Sequence, residues 1–142
     1  MDEKVQSIAL TINMELRNYQ ATKARWRYNR RALNQPPVKL KSRQRKLVEA
    51  AISETCHIRR WCLWVSNVRS KHVHAVVTAN CRPDRVMTAL KANATRKMHE
   101  DNCWNSELSP WAHRGSKRYL WTEQELVNPI VYVREDQGEP LE

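Results

Sequence analysis

The chain lacks any apolar run long enough to span a bilayer, and no apolar segment follows a basic start as in a secretory signal. Neither a membrane partner nor export is expected. The expected setting is the cytoplasm, with nucleoid association if the source is bacterial. Cys-x-x-Cys is also missing: the four cysteines stand at 56, 62, 81 and 103. That disfavours a zinc ribbon or a dithiol redox pair. The thiols are expected to be reduced and partly buried. Cys56, His57 and Cys62 make at most half a zinc site, with no second half. Internal repeats and low-complexity segments are absent, and 142 residues suit one domain with one core.

Acidic residues are scarce. Lys and Arg number 25 against 15 Asp and Glu, a net charge of +10. Residues 23 to 46 hold no acid, while Lys23, Arg25, Arg27, Arg30, Arg31, Lys39, Lys41, Arg43, Arg45 and Lys46 stand there. A polyanion is the natural partner for such a balance, because Lys and Arg displace the counterions condensed on phosphates. Trp26 and Tyr28 are interleaved in that segment, as stacking on bases would use.

Periodicity supplies the elements. In residues 7 to 16, Ile8, Leu10, Ile12, Met14 and Leu16 alternate with polar or small residues, which favours a half-buried strand over a competing helix. Residues 18 to 33 are basic and read as helix, ended by Pro36 and Pro37. Leu47, Val48, Ala51, Ile52 and Thr55 give a helix over 42 to 58 with Ser42 as its expected N-cap. Residues 60 to 68 and 70 to 80 read as a hairpin across a short polar turn. A helix is expected over 82 to 100, a strand over 117 to 122 and a last helix over 122 to 138. Thr122 and Glu125 form a capping pair there, Gly138 is its stop, and Pro129 is expected to kink it.

The order is strand, helix, strand, strand, helix, strand, helix. It predicts an α+β fold: a ferredoxin-like split βαβ sheet with an appended C-terminal helix carrying a tyrosine. The single domain, 1–142, divides into a strand and basic helix (1–34), a proline-containing connection (35–41) and a core (42–142).

The histidine strand carries the chemistry. In "HVHAVV", residues 72 to 77, His72 and His74 share one face while Val73 and Ala75 take the other. Two neutral imidazoles side by side form a two-point chelate for a divalent ion. On the last helix, Tyr132 is followed by Asp136 and Gln137, so a phenol and a metal-binding oxygen share a helix side. Together they suit nucleophilic attack on a phosphate polarised by a cation. Lys91, Arg96 and Arg118, with Arg27, Arg30, Arg31 and Arg45, are the candidates for holding a phosphate backbone. His113 and Arg114 lie in a polar loop that could approach it.

These motifs resemble the single-tyrosine HUH endonucleases, the insertion-sequence and REP-associated tyrosine transposases. "HVHAVV" matches their His-hydrophobic-His motif. "LKANATRKM", 90 to 98, is similar to their helix of the form LKxxxTRRL. "GSKRYLW", 115 to 121, and "YVREDQG", 132 to 138, are similar to their closing strand and tyrosine helix. The resemblance covers roughly residues 35 to 141. It implies metal-dependent cleavage and rejoining of single-stranded or hairpin DNA through a 5′-phosphotyrosine intermediate, with Mg²⁺ or Mn²⁺. Tyr132 would be the nucleophile and His72 and His74 the metal ligands. The third ligand is Asp136 by i+4 spacing, or Gln137 by the "QG" ending. The family includes both monomers and homodimers. Asn93, where relatives often carry an aromatic, and Pro129, three residues before the tyrosine, depart from the pattern. They point to the alternative, a non-catalytic or domesticated single-stranded DNA or hairpin binder on the same fold.

Overall fold

The computed structural model of the chain describes residues 5–13, 38–112 and 115–135. The expected basic helix with Arg27, Arg30 and Arg31, the loop pair His113 and Arg114, and the candidate ligands Asp136 and Gln137 lie outside the described residues.

Period two decides the first segment. Ile8, Leu10 and Ile12 are buried on one face, and the stretch forms strand β1 (Gln6–Asn13). Helix α1 (Ser42–Ile58) follows, turning Val48, Ala51, Ile52 and Thr55 inward. Its N-cap is Lys41, not the expected Ser42. The Lys41 N–H donates to Gln44 Oε1 at 2.8 Å, and Ser42 already lies in the first turn. Arg60, at φ 59°, ends α1, and the Trp61 N–H reaches back to the Cys56 carbonyl at 2.8 Å.

Strands β2 (Cys62–Val68) and β3 (His72–Ala79) form the expected hairpin. The turn is closed by the Arg69 N–H donating to the His72 carbonyl at 2.9 Å, and the Leu40 N–H pins it at Ser70 O at 2.8 Å. Helix α2 (Pro83–Glu100) begins with Pro83 in its first turn, as the sequence indicates, and edge strand β4 (Ser116–Leu120) precedes α3 (Glu123–Glu135). The expected cap of α3 is present: the Glu125 N–H donates to Thr122 Oγ1 at 3.1 Å. The Glu125 carboxylate in turn accepts from the Trp121 N–H at 3.1 Å. The helix runs through Pro129.

The sheet is antiparallel throughout, in the order β2-β3-β1-β4. β1 and β3 are central and adjacent, as a split βαβ arrangement requires. Its two faces are unlike. Against one lie α1 and α2, and Ile8, Leu10, Val73 and Val77 meet Val48, Ile52, Leu90 and Met98 in the main core. Each such side chain contributes about 1.5–3 kcal/mol when fully removed from water. On the other face α3 packs a smaller cluster, Val133 with Val76 and Leu120, flanked by Leu126 and Ile130. Asn93 fits this plan as a tie between helices. Its Nδ2 donates to Thr55 Oγ1 at 2.8 Å and to Ala51 O at 3.2 Å, so a polar contact stands where an aromatic would pack.

Gly115 leads into β4 where the chain passes closest to its neighbours. A Cβ there would lie 2.3 Å from the Thr11 carbonyl oxygen and 2.7 Å from the Met87 side chain. Met87 can yield, but the Thr11 backbone is held in the sheet. Gly115→Ala is therefore expected to destabilise the fold by about 1–3 kcal/mol, read as a lowered urea midpoint. An unchanged midpoint would mean that the strands separate at no cost.

Candidate functional site

The smaller-core face of the sheet turns polar towards the end of the sheet where β3 begins. Cross-strand register sets the row: Asn67 on β2 pairs with His74 on β3, which pairs with Thr11 on β1. Asn13 pairs with His72 one step further along. The two imidazoles lie side by side, ring centroids 4.6 Å apart with planes at 65°. Thr11 Oγ1 sits 3.0 Å from His74 Nδ1. When that hydroxyl accepts from Nδ1–H, the lone pair on Nε2 is left to face a cation.

Helix α3 brings Tyr132 to the same place. Val133, on the buried side of α3, anchors the helix, and its carbonyl accepts from Asn67 Nδ2 at 3.2 Å. Tyr132, the preceding residue, sets its ring 6.4 Å from that of His74, at 80°. Tyr132 is 52% exposed, so its phenol is open to solvent rather than sealed in the core.

Burial, the charge of His72 and the charge of Arg69 together push the His74 imidazole down to about 4 from 6.5. A neutral imidazole at neutral pH is the form that ligates. The same shift has a stability consequence. Between about 6.5 and about 4 the unfolded chain takes up a proton that folded His74 refuses. The metal-free protein is thus expected to lose stability as the pH falls through this window, and to show no such loss above it. Urea midpoints at pH 7, above the window, and at pH 5, inside it, check this. A fall that His74→Asn does not reduce would assign it to other groups.

The donor set fits a divalent cation. Two imidazole nitrogens on a rigid central strand leave coordination positions open for oxygen ligands. Among the described residues no group of three His, Cys, Asp or Glu side chains is arranged to hold a metal ion. A cation held there would take any third donor from elsewhere in the chain or from a bound molecule.

The basic candidates separate. Arg118 is exposed on β4 and pairs with Ala9, two residues along β1 from Thr11, which puts it on the histidine face. Lys91 and Arg96 are on α2, against the opposite face. Lys91 is half-buried, with its ammonium depressed by burial and donating to the Ala112 carbonyl at 3.2 Å. Arg96 is engaged with Asn93, Glu54 and Glu100. Arg45, on α1, donates to the Leu40 carbonyl at 2.9 Å. None of these three is brought to the His72–His74–Tyr132 cluster. Thr11, Asn67 and Arg69 were not singled out from sequence. The period-two pattern of β1 contained Thr11, but only the strand pairing reveals which imidazole it meets.

No family profile matches the chain, and no curated protein matches it. Among solved structures it is similar to a REP-associated tyrosine transposase bound to a REP hairpin, with a TM-score of 0.55 and 14% identity. The likeness covers 92% of this chain, which spans 66% of that protein's length. At this identity it shows a shared fold. Among the described residues, no helix is long and apolar enough to cross a membrane.

Proposed function

We propose that the chain is a metal-dependent endonuclease and strand-transferase of the single-tyrosine HUH type, acting on single-stranded or hairpin DNA. The observation that carries this reading is the meeting of Tyr132 with His72 and His74 on one sheet face of one chain. The shared fold with a hairpin-bound tyrosine transposase and the net charge of +10 support it.

His72 and His74 would hold Mg²⁺ or Mn²⁺, with Gln137 or Asp136 as third ligand. Gln137 is favoured on the "QG" ending that the resemblance associates with the tyrosine helix. Bound there, the cation would draw charge from a phosphate oxygen and leave phosphorus more open to attack. Tyr132 Oη then attacks phosphorus as its proton leaves. The bond to the 3′ oxygen breaks, and a 3′-hydroxyl strand departs. The 5′-phosphotyrosine keeps the energy of the broken bond, so a 3′-hydroxyl can reverse the attack and rejoin a strand without ATP. Arg118 and Arg69 would lie along the phosphates.

Labelled hairpin DNA with Mn²⁺ should give a covalent protein–DNA band on a denaturing gel, and chelation should remove it. A chain that binds hairpins but gives no band across many hairpin sequences would be the non-catalytic binder. Because tyrosine and histidines meet within one chain, mixing Tyr132→Phe with His74→Ala protein is expected to restore no adduct. Restoration would mean that the working site is shared between two copies.

A further inference from the structure

Among the described residues, β4 lies at the sheet edge and pairs with β1. Its side chains alternate: Leu120 is buried under α3, while Tyr119 pairs with Ile8 and turns to the opposite face. Tyr119 is 46% exposed, and Trp121, just beyond the strand, is 72% exposed. Their rings stack nearly parallel, with centroids 5.3 Å apart and planes at 17°. A tryptophan so open adds little to the core, yet its partner already holds it in place.

We propose that Tyr119 and Trp121 form a stacking platform for an unpaired base of the bound DNA, outside the reacting phosphate. This rests on the nucleic-acid reading above. Three features favour a base as the occupant. The first is the stacked geometry, which leaves the outer face of Trp121 to continue the pile. The second is charge at the same sheet edge: Lys117, two residues before Tyr119 and on its side of the strand, is ion-paired with Asp84, while Arg118 between them turns to the histidine face. Aromatic faces bordered by cations are what a single strand uses, with bases on rings and phosphates on charges. The third is reach. Ser116 pairs with Thr11, the partner of His74, and Tyr119 is three residues further along the same strand. At about 3.4 Å per residue that is about 10 Å along the strand from the histidine row, on the other face of an edge strand, so the base held there would belong to a nucleotide that has passed round the sheet edge and not to the cleaved one. Stacking needs only a π face, so the platform should accept any base.

The test is fluorescence anisotropy with a labelled hairpin in three forms: with a short unpaired tail, with the same tail made abasic, and blunt. The full chain is expected to bind the tailed form about tenfold tighter than the abasic form. Trp121→Leu and Tyr119→Leu should each remove most of that difference and leave the blunt affinity unchanged. Trp121→Phe should restore part of it, and unchanged thermal melting would show that each variant folds. Leucine variants that keep the full preference for the tailed form would overturn the platform while leaving DNA binding intact. Binding of none of the three DNAs by the parent would remove both readings. Self-association of the parent that the leucine variants break, with tailed affinity unchanged, would make the pair a contact between copies and overturn the proposal.

Discussion

Tyr132→Phe is expected to bind hairpin DNA as the parent does while its rate of covalent adduct formation falls by at least about a thousandfold. The substitution removes one oxygen and keeps the ring. The ring is half-exposed and contributes little to the core, so stability should be unchanged. The packing that fixes α3 belongs to Leu126, Ile130 and Val133, which the variant leaves untouched. What is lost is the proposed nucleophile, and among the described residues no second phenol stands at that face: Tyr119 turns to the opposite side of the sheet. Timed denaturing gels measure the adduct, and anisotropy in the presence of chelator measures binding. An adduct persisting at the parental rate would assign the attack to another group.

His74→Ala is the second large effect. It should weaken Mn²⁺ binding by more than about a hundredfold, since removing even an outer partner of a metal ligand typically costs 10–100-fold. His74 is held by Thr11 at 3.0 Å and kept neutral by its surroundings. Thr11→Val keeps the shape and removes the hydroxyl, so it should reproduce a fraction of the loss. Calorimetric titration of Mn²⁺ into each protein reads both. Equal affinity in His74→Ala and parent would place the cation elsewhere. Adduct formation should fall with metal affinity, and raised Mn²⁺ should recover part of it.

Much of the fold was legible because it depends on local period. The alternation through Ile8, Leu10 and Ile12 marked β1, and the helical stripe Val86, Leu90, Ala94 marked α2. The element order then led to β1 and β3 as central neighbours. The end of α1 was less legible: Lys41 took the cap because Gln44 could reach its N–H, a choice that Ser42 alone does not reveal. At the site, period two put His72 and His74 on one face, and helix spacing put Tyr132 near the end of α3. Their meeting is a matter of tertiary packing, fixed by Val133 against Val76 and by the Asn67 bond to the helix backbone.

Charge was the least informative signal. Lys91 and Arg96 look alike in sequence to any phosphate-binding cation. Yet one is drawn into a loop carbonyl and the other into carboxylates on the far side of the sheet. A basic residue's role depends on which face its element presents, and no local pattern around α2 carries that information. Arg69 shows the converse. It stands in a three-residue turn that reads as a mere connector, and register brings its charge to bear on His74.

The most direct measurement is the chemical location of the bond to DNA. Hairpin DNA incubated with the parent and Mn²⁺ would be digested with nuclease and protease, and the surviving nucleotide-bearing peptide sequenced by mass spectrometry. The expected result is a 5′-phosphate linked to Tyr132 and an adduct absent without metal. A phosphate carried by any other side chain, or attached through a 3′ end, would contradict a phenol and paired imidazoles acting on one phosphate.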